Sequence, residues 1–208
     1  MNQNAFNVTL YLLEKMIGGF KKGALYSIAS RPFLGKSTFC MSTALIYSEQ
    51  EYKVLYISND LTKEDFEKRL HSIDNESRAN NITFAPVYCL SERKLYHLLD
   101  AHPSDILIID SFDTLFFDID IGRLKEIAIE KDVIVWISKQ LSRPHWWSKR
   151  KKPALCDLKF PNLKTRDKFI SYCDAILFLH YDNEAHTQKI ILAKNRYGQL
   201  TEISKSRV

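Results

Sequence analysis

Residues 24 to 38 constrain this chain more than any other stretch. The apolar run Ala24-Leu25-Tyr26-Ser27-Ile28-Ala29 leads directly into Ser30-Arg31-Pro32-Phe33-Leu34-Gly35-Lys36-Ser37-Thr38. A strand, a tight loop and Gly-Lys-Ser opening a helix make a phosphate-cradling motif, in which backbone N–H groups and the helix N-terminus form an anion site. In that arrangement Lys36 reaches the outer phosphates and the Ser37 hydroxyl sits on Mg²⁺. A nucleoside triphosphate is the expected ligand, lined by Ser30, Arg31, Pro32, Gly35, Lys36, Ser37 and Thr38. Ser30 stands where the motif usually begins with glycine. The plainer alternative is a helix start capped by Ser37 or Thr38 with Lys36 solvated, but the strand–loop–helix context is the one the motif requires.

The rest of the chain supplies a matching scaffold. Its 208 residues suit one domain with a substantial core, residues 1–20 being a lead-in helix and turn. Apolar content of 45% and charged content of 26% are ordinary globular values that argue against disorder. The net charge of +5 permits contact with nucleic acid without demanding it, so where the charge sits matters more than its sum. Cys40, Cys89, Cys156 and Cys173 lie far apart with no metal-ligand spacing, so buried reduced thiols are expected rather than zinc or a disulfide framework. There is no signal-peptide pattern at the N-terminus and no apolar run of membrane-spanning length, which suits a cytoplasmic protein without a membrane partner.

Apolar residues at helical spacing (Phe6, Leu10, Leu13, Met16) predict a helix over 5–17 ended by Gly18-Gly19. Helices are also predicted at 37–49, 63–73, 91–99 and 122–131, and a polar loop at 74–81. Buried strands are expected at 24–29, 53–58, 105–110, 133–138, 175–180 and 189–193, with a short one at 82–84. Strands alternating with helices indicate an α/β fold with a largely parallel central sheet flanked by helices.

Several residues at strand ends are candidates for chemistry. Asp110 closes Ile106-Leu107-Ile108-Ile109-Asp110, where α/β sheets place their ligands, and a carboxylate there can hold Mg²⁺ or simply cap the next turn. Asp60, just past a buried strand, suits a general base for the attacking water; alternatively the stretch is a helix start with Asp60 or Thr62 as its N-cap. Gln140 follows another buried strand and can hydrogen-bond a γ-phosphate or be an ordinary loop amide. Beyond it, Arg143 and the run Lys149-Arg150-Lys151-Lys152 accompany Trp146-Trp147, the parts of a single-strand binding surface or of a solvated charged loop. Lys194-Asn195-Arg196-Tyr197-Gly198 ends the last predicted strand. Its two cations can act as finger residues on a transferring phosphoryl group, in cis or from a neighbouring subunit, or can flank a hairpin turn.

Taken in order, these segments resemble the C-terminal motor domain of DnaB-type replicative helicases, within the RecA-like P-loop ATPases. The matching stretches are Gly18-Gly19-Phe20 through Lys36-Ser37, Asp110 in its strand, Gln140-Leu141-Ser142-Arg143, Lys152 through Leu158, Cys173-Asp174, and Ala193 through Gly198. In that family the loop opens with a small residue followed by Arg-Pro, as Ser30-Arg31-Pro32 does. The resemblance implies a RecA-like fold that binds ATP and Mg²⁺ between subunits of a ring, usually a hexamer, and moves along single-stranded DNA. Lys194 and Arg196 would then act on a neighbour's nucleotide, Gln140 would couple the γ-phosphate to the DNA loops, and the region from Arg143 to Lys159 would face the channel. Three features depart from the family. The catalytic Glu is replaced by Asp60, one methylene shorter, which is expected to slow hydrolysis. The stretch between Asp60 and Asp110 is short, and Lys159-Phe160-Pro161-Asn162-Leu163 replaces a glycine-bearing DNA-contacting segment. The resemblance starts near residue 8, so no counterpart of the family's N-terminal collar domain is expected. Two other readings stand beside the motor: an ATP-binding regulator, loader or inhibitor of a replication or recombination ring, partnered with a helicase, and a recombination or signalling ATPase that does not unwind DNA.

Overall fold

The computed structural model describes residues 14, 17, 19–73, 79–113, 116–117, 119–142, 152–160 and 162–206. Among the described residues are ten strands: β1 (Leu25–Ser30), β2 (Val54–Ser58), β3 (Ile82–Pro86), β4 (Cys89–Leu90), β5 (Ile106–Asp110), β6 (Phe116–Phe117), β7 (Ile134–Gln140), β8 (Ala175–Asp182), β9 (Thr187–Asn195) and β10 (Glu202–Ser206). Eight of them form one sheet in the order β10-β9-β8-β1-β7-β5-β2-β3, while β4 and β6 pair separately. The six strands from β8 to β3 are mutually parallel, and β9 and β10 extend one edge as antiparallel neighbours. The central strands are buried along their whole length and mostly apolar because both faces are covered, the usual condition of parallel strands.

Five helices among the described residues do the covering. On one face α1 (Lys36–Glu49) and α2 (Lys63–Ile73) lay Phe39, Met41, Ala44, Phe66 and Leu70 against Tyr26, Ile28, Tyr56, Ile108 and Trp136. On the other, α3 (Glu92–Ala101), α4 (Ile121–Glu130) and α5 (Leu163–Tyr172) pack Leu95, Leu99, Leu124, Ile127 and Phe169 against Leu55, Leu107, Val135 and Phe178. The result is the RecA-like α/β arrangement, a mostly parallel sheet flanked by helices. Among the described residues no helix is long and apolar enough to cross a membrane.

Most predicted elements occur within a residue or two of their expected bounds. The helix over 5–17 lies largely outside the described residues, although residues 14 and 17 are helical; most of the 74–81 loop also lies outside them. The structure adds α5, β10 and the small β4–β6 pair. Phe169 is the residue that fixes α5 to the sheet, fully buried with its ring 4.9 Å from that of Phe160 and 6.0 Å from that of Phe112. Replacing it with alanine is expected to cost about 3–5 kcal/mol, read as a lowered urea midpoint.

The helix starts differ in whether a side chain caps them. Ser91 caps α3 by accepting from the Lys94 N–H, Asp120 caps α4 through the Gly122 N–H, and Asn162 caps α5 through the Thr165 N–H. At α1 the cap position is Gly35, left-handed at φ 88°, with no side-chain cap and no acidic residue in the first turn. The positive end of α1 is therefore met by neither a side-chain cap nor a first-turn carboxylate.

Candidate nucleotide-binding site

The sheet brings the predicted phosphate loop and three of the strand-end candidates to one edge. Parallel register sets Ser30 opposite Gln140 and Ser58 opposite Asp110, so the C-terminal ends of β1, β7, β5 and β2 follow one another side by side. The loop of residues 31–35 leaves β1 at this edge and turns into α1.

Ser30 explains its own departure from the motif. It is buried, keeps extended strand backbone, and its hydroxyl donates to the Arg31 carbonyl at 2.7 Å. The left-handed conformations fall later, at Phe33 (φ 64°) and Gly35 (φ 88°), so a glycine is required at 35 and not at 30. Arg31, Pro32, Lys36, Ser37 and Thr38 surround the loop and the first turn of α1, with only Phe33 among residues 31–38 fully exposed. The Gln188 side-chain amide on β9 braces the loop by donating to the Leu34 carbonyl at 3.4 Å.

Asp110 is 3% exposed. Its Oδ2 accepts from the Tyr56 hydroxyl at 2.8 Å and its Oδ1 from the Ser138 hydroxyl at 2.5 Å. Both partners are neutral, and among the described residues Asp110 enters no ion pair, an expensive state for a buried carboxylate. Burial pushes the thiol of nearby Cys40 well up; Asp110 adds to the rise and Lys36 opposes it, so carboxylate and ammonium both act on the same small space. A carboxylate short of a counter-charge, beside an uncapped helix start that carries Ser37, fits a hydrated Mg²⁺ delivered with phosphates. Among the described residues no cluster of three His, Cys, Asp or Glu offers a site for an ion held by protein alone.

Asp60 lies exposed in the turn after β2, its N–H donating to the Ser58 hydroxyl at 3.3 Å. Thr62, not Asp60, starts α2: its hydroxyl accepts from the Asp65 N–H at 3.1 Å and donates to the Asp65 carboxylate at 2.9 Å. The capping alternative therefore belongs to Thr62. Gln140, half-buried, has both backbone groups engaged, its N–H donating to Asp113 Oδ2 and its carbonyl accepting from the Lys159 N–H at 3.1 Å.

Lys194 and Arg196 lie at the other end. The register pairs Tyr26 with Ala175 and Ala175 with Asn195, roughly 13 Å along the strands from Ser30. There Lys194 donates to the carbonyls of Ile170, Ser171 (3.2 Å) and Cys173 (2.6 Å) at the C-terminal end of α5. Burial and the neighbouring Arg196 hold its pKa below that of a free lysine. Arg196 donates to Asp174 Oδ1 at 2.7 Å and to the Ser171 carbonyl at 2.6 Å. The fully buried Asp174 also takes Lys125 at 2.5 Å, the Leu25 N–H at 2.8 Å and the Tyr197 hydroxyl at 2.9 Å. Burial alone would raise the Asp174 pKa, but Lys125 and these donors keep it below the usual carboxylate value. This placement removes the in-cis alternative: neither cation reaches the loop of its own chain.

Of the basic candidates, Arg143, Lys149, Arg150 and Lys151 lie outside the described residues, as do Trp146 and Trp147. Lys152 is exposed and paired with Glu202 of β10 at 2.6 Å; Lys159 is exposed beside Gln140. Sequence reasoning missed Tyr56 and Ser138, which grip Asp110, and the buried pair Lys139–Asp113. A lysine and two hydroxyls inside otherwise apolar strands were the available signals.

Comparison with known proteins agrees with this fold. Among solved structures, a DnaB-like replicative helicase described with its primase interactions superposes with a TM-score of 0.78 at 20% identity, over 95% of this chain and 58% of that one. A second solved structure, described as an ATPase domain, gives 0.77 at 22% identity, over 93% of this chain and 84% of its own. Curated relatives include the DNA repair protein RadA of Campylobacter jejuni (33% identical, 48% of this chain and 21% of RadA) and the archaeal flagellar ATP-binding protein FlaH of Methanocaldococcus jannaschii (28%, half of each). A probable replicative DNA helicase of Trieres chinensis is 26% identical over 60% of this chain and 28% of its own length. The chain thus spans between about a fifth and a half of these relatives. The family model for the DnaB-like helicase C-terminal domain matches residues 6–115, more than half of the sequence, and the chain belongs to that family.

Proposed function

We propose that this chain is an ATP-hydrolysing motor that moves on single-stranded DNA in replication, working as a hexameric ring of copies. The observation that carries the reading is the single sheet edge where an uncapped α1, Gln140, the buried Asp110 and the Asp60 turn stand together. On this reading the amides of the loop, Lys36 and Thr38 hold the phosphates of ATP, and Ser37 and Asp110 hold Mg²⁺. When bound, the ion would neutralise charge on the β- and γ-phosphates. Asp60 takes the proton of the attacking water, and Gln140 contacts the γ-phosphate or that water. Lys194 and Arg196 act on the nucleotide of an adjoining copy, because the strand register separates them from their own. Arg143, Lys149, Arg150, Lys151, Lys152 and Lys159 track the DNA backbone, with Lys152 exchanging Glu202 for phosphate.

A second reading, an ATP-binding regulator or loader of a helicase ring with little hydrolysis, is favoured by the short carboxylate at Asp60. FlaH, an ATP-binding protein by name, also matches half of this chain. One experiment separates the two: ATP turnover with and without single-stranded DNA, alongside the mass of the assembly. The motor reading expects turnover stimulated by the strand, and an Asp60→Glu variant faster by roughly tenfold, since one methylene restores the reach of the base. ATP binding without turnover in both proteins would leave the regulatory reading.

A further inference from the structure

We propose that the buried Lys139–Asp113 pair is a positioning element that locks Gln140 to the two chain segments leaving the nucleotide edge, so that nucleotide binding is felt in both. The inference rests on residues 30–38 being a nucleotide site. Lys139 lies on β7, one residue before Gln140, and points to the face of the sheet away from α1. Side chains of Lys139 and Asp113 are 6% and 11% exposed. One carboxylate does two things: Asp113 Oδ1 takes the Lys139 ammonium and Oδ2 takes the Gln140 N–H. The ammonium also lies over the Phe160 ring at 4.1 Å and near that of Phe112 at 5.4 Å. Three segments therefore converge on a single cation: the loop after β5, the end of β7 and residues 158–160.

The backbone closes the same junction. The Gln140 carbonyl accepts from Lys159 at 3.1 Å, the Ser142 N–H donates to the Asp157 carbonyl at 2.7 Å, and Leu141 bridges Leu158 antiparallel. With its N–H on Asp113 and its carbonyl on Lys159, Gln140 cannot shift without drawing both segments along. In the sequence, the end of β7 and residues 157–160 stand on either side of the basic stretch that runs from Arg143 to Lys152. An apolar pair of similar volume would commonly stabilise a buried site equally well, so a buried ion pair is weak support for stability as its purpose. Fixing the register of three segments is the better-founded role.

Hydrogen exchange followed by mass spectrometry tests this with a non-hydrolysable ATP analogue and Mg²⁺, without DNA. In the parent protein the analogue is expected to slow exchange at 30–38 and, by about fivefold, at 111–113 and 157–160. In Lys139→Met, and separately in Asp113→Asn, the slowing is expected at 30–38 alone. The double variant removes both charges together and serves if either single variant fails to fold; its expected pattern is the same. Slowing that still spreads to 157–160 in the variants overturns the inference. So does a parent that shows slowing at 30–38 only, a result that leaves the nucleotide assignment standing. No slowing at 30–38 in the parent overturns both.

Discussion

Lys36→Ala is expected to weaken binding of a nucleoside triphosphate by roughly a hundredfold, because it removes a charge-assisted contact worth up to about 3 kcal/mol. The rest of the anion site would remain. α1 keeps its uncapped start at Gly35, and Phe39, Met41 and Ala44 still hold the helix on the sheet. The melting temperature without nucleotide should therefore stay near that of the parent. Ligand-induced stabilisation should shrink, since the shift follows the ratio of ligand concentration to dissociation constant. A titration with a fluorescent ATP analogue and a pair of melting curves check both statements. An unchanged affinity would return Lys36 to the role of a solvated lysine at a helix start. A variant that melts early even without ligand would mean that the side chain supports the fold.

The strand–loop–helix unit of residues 25–49 was legible because everything it needs is local. An apolar strand, left-handed positions at 33 and 35, and a helix start without a capping carboxylate all fall within a single short stretch of consecutive residues. That Asp110 and Gln140 end their strands was legible for the same reason, since both are polar residues that close apolar runs. What sets their environment is not local. Tyr56 and Ser138 grip Asp110 from the strands on either side of β5, and only the sheet order makes those strands neighbours. Asp113 meets Lys139 across a separation of 26 residues. Two elements were missed for different reasons. α5 buries little besides Phe169, so its apolar stripe is too thin to show a helical period, although Asn162 at its cap was a readable start signal. β10 (Glu202–Ser206) is a short polar edge strand, whose only strong clue is the partner it pairs with. Lys194 and Arg196 were visible as cations at a strand end, but their distance from the loop is a property of the β1–β8–β9 register that no spacing in the sequence carries.

That distance makes the second large effect specific. Arg196→Ala is expected to lower ATP turnover by about a thousandfold, the smaller end of what a finger arginine contributes, while leaving nucleotide affinity near the parent value. Part of what Arg196 touches within its own chain survives the change: Asp174 keeps Lys125, the Leu25 N–H and the Tyr197 hydroxyl. Melting curves should show the fold intact, so lost turnover would not be lost structure. The decisive measurement mixes this variant with Lys36→Ala. At nucleotide concentrations too low to fill the weakened Lys36→Ala site, each is expected to turn over little alone, one lacking the cation and the other the phosphate grip. If the cation acts across a boundary between copies, a junction works when an Arg196→Ala copy supplies the loop and a Lys36→Ala copy supplies the arginine. Random assembly of equal amounts makes about a quarter of the junctions competent, since each of the two conditions is met half the time in a head-to-tail ring. Turnover should then rise far above the sum of the two variants. A mixture no faster than that sum would break the link between Arg196 and a neighbour's nucleotide, leaving the arginine as a cap on the end of α5.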